Sequence, residues 1–323
     1  MKPSADKLEI IACAVLILVS SVGNACLFYS TSKCITGGLQ TSFLLMISLV
    51  FVHLLKNLVG NTLKLVYSSG ILLDSVGCKA LHFTAALTTS LAIWFMLHLA
   101  LLYHRKLYQI VHPLSRAANL NQEKYSLKGI SALWVAGVAV YIPVLVYTTK
   151  PEHPSSANGT GSLSTNRLYM DCLTAFGNEQ VEFYYGKIFL VLIDILPLAV
   201  LVFVCLWMAA LLLEKKKMTY GDIWIGDDDS ETEVLRGAKF SILLMLLITP
   251  LWASHFILVY FSKDLAACAF IPAVLTALSS GFSALSPFPL MLVNYKMKLV
   301  SFCGVQREKS TPQPADIILS PYA

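Results

Sequence analysis

Seven long runs of apolar residues, set apart by shorter polar stretches, organise this chain. They span roughly Leu8–Tyr29, Leu39–Tyr67, Lys79–Tyr103, Leu127–Tyr147, Glu182–Leu213, Ala238–Phe261 and Ala266–Tyr295. A helix rises about 1.5 Å per residue, so about 20 residues cross the ~30 Å hydrocarbon layer of a bilayer, and each run meets that length. Only helices and closed barrels satisfy every backbone polar group in lipid. The runs lack the apolar–polar alternation of barrel strands, so the pattern predicts an all-α membrane protein, a seven-transmembrane helix bundle.

The polar stretches set the orientation. Lys and Arg gather after the third run (Arg105, Lys106, Arg116, Lys124), after the fifth (Lys215, Lys216, Lys217) and after the seventh (Lys296, Lys298, Arg307, Lys309). In an alternating bundle these stretches share one side, which the positive-inside rule makes cytoplasmic. The N-terminus is then outside and the C-terminus cytoplasmic. Asn158-Gly159-Thr160, after the fourth run, is an N-glycosylation acceptor on the expected outer side. Met1 to Ile10 shows no cleavable signal pattern, so the first run is expected to act as a retained insertion signal.

Composition agrees. Hydrophobic residues make up 56% of the 323 and charged residues 13%, about half the ~25% of a soluble domain. The net charge of +5 fits cytoplasmic bias, with no sign of a nucleic-acid partner. The 8 cysteines are scattered, mostly inside apolar runs. No metal cluster, phosphate loop or catalytic triad spacing stands out, so neither an enzyme nor a cofactor or metal site is expected. A multi-pass membrane protein is the expectation.

Marker residues narrow the class. The first run holds Gly23-Asn24. The fourth holds Trp134, with Pro143 nine residues on. Interior prolines recur in the fifth, sixth and seventh runs at Pro197, Pro250 and Pro287, where each removes a backbone hydrogen bond and bends the helix. Arg105-Lys106 leads into His112-Pro113-Leu114. Over roughly Leu8 to Cys303 the chain resembles a rhodopsin-like (class A) G-protein-coupled receptor. The resemblance implies a disulfide between Cys78, at the outer end of the third helix, and Cys172, in the loop before the fifth. It also implies a small extracellular ligand and a cytoplasmic heterotrimeric G protein as partners.

The family's switch positions are altered. Its acid in the second helix is His53 here, and the acid beside the arginine at the foot of the third is His104. The aromatic two residues before the sixth-helix proline is Ile248. The Asn-Pro-x-x-Tyr motif reads Ser286-Pro287-Phe288-Pro289-Leu290. The family's sodium ion needs oxygen ligands, so replacement of the acid by His53 predicts no sodium site. A core histidine bonded to Asn24 or Ser286 is expected instead, with a proton sensor as a further reading. Asn24, His53, Ser286 and Pro287 are the core switch positions. Loss of the acid beside Arg105 points to raised basal signalling, and loss of the helix-six and helix-seven aromatics points to silence.

Ionisable residues inside spans mark candidate sites. Lys56, Asn57 and Lys64 follow His53 at helical spacings that place them broadly on one face. Asp194 lies one turn before Pro197, and His255 about one turn after Pro250. Lys56, Lys64, Asp194 and His255 are the candidate ligand-binding residues, with Asp194 expected to pair with Lys56 or His255. Two lysines against one acid predict a net basic cavity that selects an acidic ligand.

On the inner side, Arg105, Lys106, Lys215, Lys216, Lys217, Arg236 and Lys239 are the expected G-protein-facing residues. The acidic run Asp227 to Glu233 is expected to be solvated, with Ser230 a candidate kinase target. The receptor unit covers 1–303, with a short membrane-surface helix at about 294–303 and Cys303 a palmitoylation candidate. Residues 304–323 read as a disordered tail. Two other classes fit the pattern less well: a seven-helix protein that binds ligand or accompanies other membrane proteins without signalling, and a transporter or proton channel, for which the repeats are lacking.

Overall fold

The computed structural model describes residues 3–32, 40–71, 73–112, 122–149, 172–174, 176, 178–185, 189, 191–221, 229–260 and 270–289. It is almost entirely helical. In chain order come α1 (Pro3–Ser32), α2 (Gln40–Leu54), a π-helical stretch π1 (Leu55–Asn61), α3 (Thr62–Ser68), α4 (Ser75–Val111) and α5 (Gln122–Tyr147). A two-residue strand pair, β1 (Thr148–Thr149) and β2 (Leu173–Thr174), follows, then α6 (Glu179–Phe183), a second π-helical stretch π2 (Val191–Ile195), α7 (Leu196–Gly221), α8 (Asp229–Tyr260) and α9 (Ile271–Leu285). Six helical spans among the described residues are long and apolar enough to cross a membrane: Lys7–Tyr29, Leu44–Ser68, Ser75–Val111, Lys128–Tyr147, Leu192–Lys217 and Val234–Leu258. Large apolar side chains such as Leu18, Val135, Phe203 and Leu246 stay exposed on them, as a lipid environment requires and water would penalise. The length and composition of these spans are those of a membrane protein. The seventh apolar run contributes α9.

Several positions expected in the sequence lie outside the described residues: Asn158, Arg116, Cys303, Asp227 and Asp228, the stretch at about 294–303, and the tail.

Helix α4 forms the centre of the bundle. It packs against α2, π1, α5, α7 and α8, while α1 packs chiefly on α9. Lipid supplies no hydrophobic drive between helices, so close approach depends on small residues. Gly137 of α5 lies so close to α4 that an added Cβ would come 2.8 Å from Leu91, and Gly129 approaches His98 in the same way. Gly23 of α1 faces Pro287, whose Cβ would lie 3.2 Å from a Cβ at Gly23. The Gly23-Asn24 pair thus lets α1 meet the chain just beyond α9.

The α3–α4 turn passes through Gly70, whose φ of +85° lies in the region open chiefly to glycine. Asp74 caps α4, accepting the Gly77 amide at 2.7 Å. Cys78, in the first turn of α4, forms a disulfide with Cys172. The bond ties β2 to α4, and β2 pairs antiparallel with β1 at the end of α5. Leu73, Leu81, Leu63 and Val66 bury the bridge.

Candidate functional site

Prolines and π turns leave backbone groups unpaired, and side chains take them up. Pro197 has no N–H to return to the carbonyl of Ile193, four residues earlier. The Trp94 indole of α4 donates to that carbonyl at 3.0 Å. In π1, the Asn57 amide donates to the His53 carbonyl at 2.9 Å and to the Ser283 hydroxyl of α9 at 2.7 Å. Asn61 donates to Asn57 Oδ1 at 2.7 Å, and Ser280 donates to Asn61 Oδ1 at 3.0 Å. Asn24 extends this buried network to α1, donating to the Ser283 carbonyl at 3.4 Å as well as to the Ser20 carbonyl at 2.9 Å and to Ser20 Oγ at 3.0 Å.

His53, Lys56, Asn57 and Lys64 divide their contacts between α4 and the α9 region, and Lys56 and Lys64 both line one cavity. Lys56 turns to α4, where it donates to Thr89 Oγ1 at 2.9 Å. Asn57 and Lys64 turn to α9, Lys64 reaching Thr276 Oγ1 at 3.5 Å. His53 Nδ1 lies 2.9 Å from the Ser286 hydroxyl. Asn24, its other expected partner, is bonded to Ser20 instead, and its Oδ1 has no hydrogen-bond partner.

A cavity of about 340 Å³ opens between α4, α5, α8, α9 and the two π stretches, and Lys56, Lys64, Asp194 and His255 all line it. This volume is at the small end of the ~300–1,000 Å³ typical of small-molecule sites. The structure corrects the expected pairing of Asp194 with Lys56 or His255. Asp194 accepts a hydrogen bond from Ser90, which also bonds Tyr141. Thr89 and Ser90, neighbours on α4, thus hold the ammonium and the carboxylate separately. Two short hydroxyl contacts from one rigid helix offer each charge a closer partner than the charges offer one another. Lys56 and Asp194 are nonetheless 7% and 5% exposed, which makes each costly without a further partner.

A second acid stands behind the cavity wall. Glu9 of α1 is buried, at 8% exposure. It accepts from Ser68 at 2.9 Å and from Thr276 at 3.3 Å, the same Thr276 that Lys64 reaches. Two carboxylates therefore stand against two lysines in this region, although Asp194 and not Glu9 lines the cavity itself. The sequence offered only a weak signal for Glu9, one acid at the polar start of an apolar run; tertiary packing of α1 on α9 carries it inward. Thr89, Ser90 and Tyr141 had no sequence signal, because hydroxyls are common on membrane helices.

Beneath the cavity an aromatic row links three helices. Trp252, one turn before the lining Phe256, is 1% exposed. Its ring centroid lies 4.9 Å from that of Phe282, which lies 5.1 Å from the His53 ring. The aromatic missing before Pro250 is thus supplied two residues after it. A second row, Tyr147–Phe176–Tyr185–Phe189, runs at 4.9–5.0 Å steps. Tyr185 and Phe189 line the cavity.

At the other end of α4, Arg105 is exposed and Lys106 half-buried, and the Lys216 and Lys217 side chains of α7 are exposed beside the half-buried Lys215. Nothing in this arrangement gathers metal ligands among the described residues. No protein-family model matches the chain, and no characterised protein matches it either.

Proposed function

We propose that the chain is a plasma-membrane receptor of seven spans, with its amino end outside. In this reading a small ligand carrying an acidic group enters the cavity and settles on Lys56, and a heterotrimeric G protein reads the resulting change at the inner ends of α4, α7 and α8. The observation that carries this reading is the pair of buried charges, Lys56 and Asp194, lining one cavity without bonding each other. Uncompensated buried charge in a membrane bundle is retained where a guest or a reaction uses it. The row Trp252–Phe282–His53 supports the coupling half, because it joins the cavity floor to α2 and α9. A shift of α8 on ligand binding has the Phe282 ring and the His53–Ser286 bond in its path. Arg105, Lys106 and Lys215–Lys217 are then the docking face.

The test is G-protein nucleotide exchange in membranes carrying the full chain, first without ligand and then with a library of anionic metabolites. Exchange that rises with an acid, and is lost in Lys56→Gln, is the expected result. Binding of an acid with no exchange by any G protein would move the chain to the non-signalling class.

A further inference from the structure

The cavity wall presents one ammonium and one carboxylate, each nine-tenths buried and each held on its own hydroxyl of α4: Lys56 on Thr89, Asp194 on Ser90. Behind the lining Lys64 stands Glu9, joined to it through Thr276. Over these four residues the formal charges cancel. The other titratable groups on the wall are the imidazoles of His82 and His255 and the phenols of Tyr141 and Tyr185. We infer that the guest is a small zwitterion of the α-amino-acid type with an apolar or aromatic side chain, its carboxylate on Lys56 and its ammonium on Asp194.

The physical argument has three steps. An ammonium has three donors and Lys56 uses one on Thr89, so it has capacity for a carboxylate. Asp194 likewise has acceptor capacity beyond Ser90. A guest with only an acid satisfies Lys56 and brings a second anion toward Asp194, while a guest with only an amine does the reverse. A guest with both groups satisfies both wall charges and leaves the region neutral. The rest of the wall, including Ala85, Ala86, Val144, Phe189 and Phe256, accepts an apolar body.

This inference rests on the reading of the cavity as a ligand site and is tested apart from signalling. Binding of three matched probes to the purified full chain in lipid nanodiscs is measured calorimetrically: phenylalanine, 3-phenylpropanoate, which lacks the ammonium, and 2-phenylethylamine, which lacks the carboxylate. Phenylalanine is expected to bind about tenfold or more tightly than either analogue, a difference worth one lost ionic contact. Asp194→Asn is expected to bring phenylalanine down to the affinity of 3-phenylpropanoate, and Lys56→Gln to that of the amine. The wild-type comparison stands even if a variant does not fold. Equal affinity for phenylalanine and 3-phenylpropanoate overturns the inference and leaves the acidic-ligand receptor in place. Preference for the amine, or no binding by any probe, also overturns it. Tight zwitterion binding with no nucleotide exchange supports the inference and overturns the receptor.

Discussion

Gly237 of α8 lies directly against the ring of Tyr103 on α4, so closely that any Cβ at position 237 would overlap the ring. Tyr103 is buried, so the ring has little room to move aside. The contact holds α4 and α8 together next to His104 and Arg105, where the resemblance expects an acid–arginine ion pair and the sequence has His104 in place of the acid. Gly237→Ala is expected to lower stability by about 1–3 kcal/mol through overpacking, even though alanine gains about 1 kcal/mol in helix propensity over glycine. Thermal unfolding in nanodiscs measures it. Adding Tyr103→Ala should recover part of the loss; a double variant that shows the two losses simply added would contradict the contact.

Trp94 and Pro197 form a second coupled pair through the Ile193 carbonyl. Trp94→Phe keeps the ring and removes the donor, at an expected cost of about 1 kcal/mol. In a Pro197→Ala background the backbone regains an N–H that can serve that carbonyl, so the same change should cost less. The readout is a double-mutant cycle on unfolding midpoints, and equal costs in both backgrounds would show that the indole bond does not compensate for the proline.

Glu9 and Lys64 share Thr276. Glu9→Gln leaves Lys64 without its nearby carboxylate, and Lys64→Met leaves Glu9 without its nearby ammonium. Each single change should destabilise the protein more than the two together, because the double change removes both charges at once. Unfolding midpoints of the three variants decide it. If the losses add, Glu9 does not balance Lys64.

His53 is bonded to Ser286 and edged by Phe282, and the described residues gather no set of metal-binding side chains there. Wild-type unfolding midpoints should be the same in sodium and potassium chloride at equal ionic strength. His53→Asp places an anionic oxygen ligand beside the Ser286 hydroxyl. This variant should unfold at higher temperature in sodium than in potassium. A sodium-specific rise in the wild type would contradict the reading of His53 as a neutral core residue.

What the linear pattern determined was everything that depends on one segment and its solvent. Long apolar runs give membrane helices because lipid leaves the backbone no other partner, and six such spans stand in the structure. Charges inside those runs were visible as costly residues, and Lys56, Lys64, Asp194 and His255 all reach one cavity. The link between Cys78 and Cys172 came from the resemblance, and the fold places them together. Tertiary structure decided how those charges are satisfied. Lys56 bonds on α4 and Lys64 on α9, and which neighbour each one meets is set by how those helices pack against the second span. Glu9 becomes a core residue only because α1 packs on α9. Trp252 takes up contact with Phe282 and His53 because α8 and α9 meet there. Partners in a bundle come from different helices, so their choice depends on rotation and depth, which the order of residues along one helix does not encode.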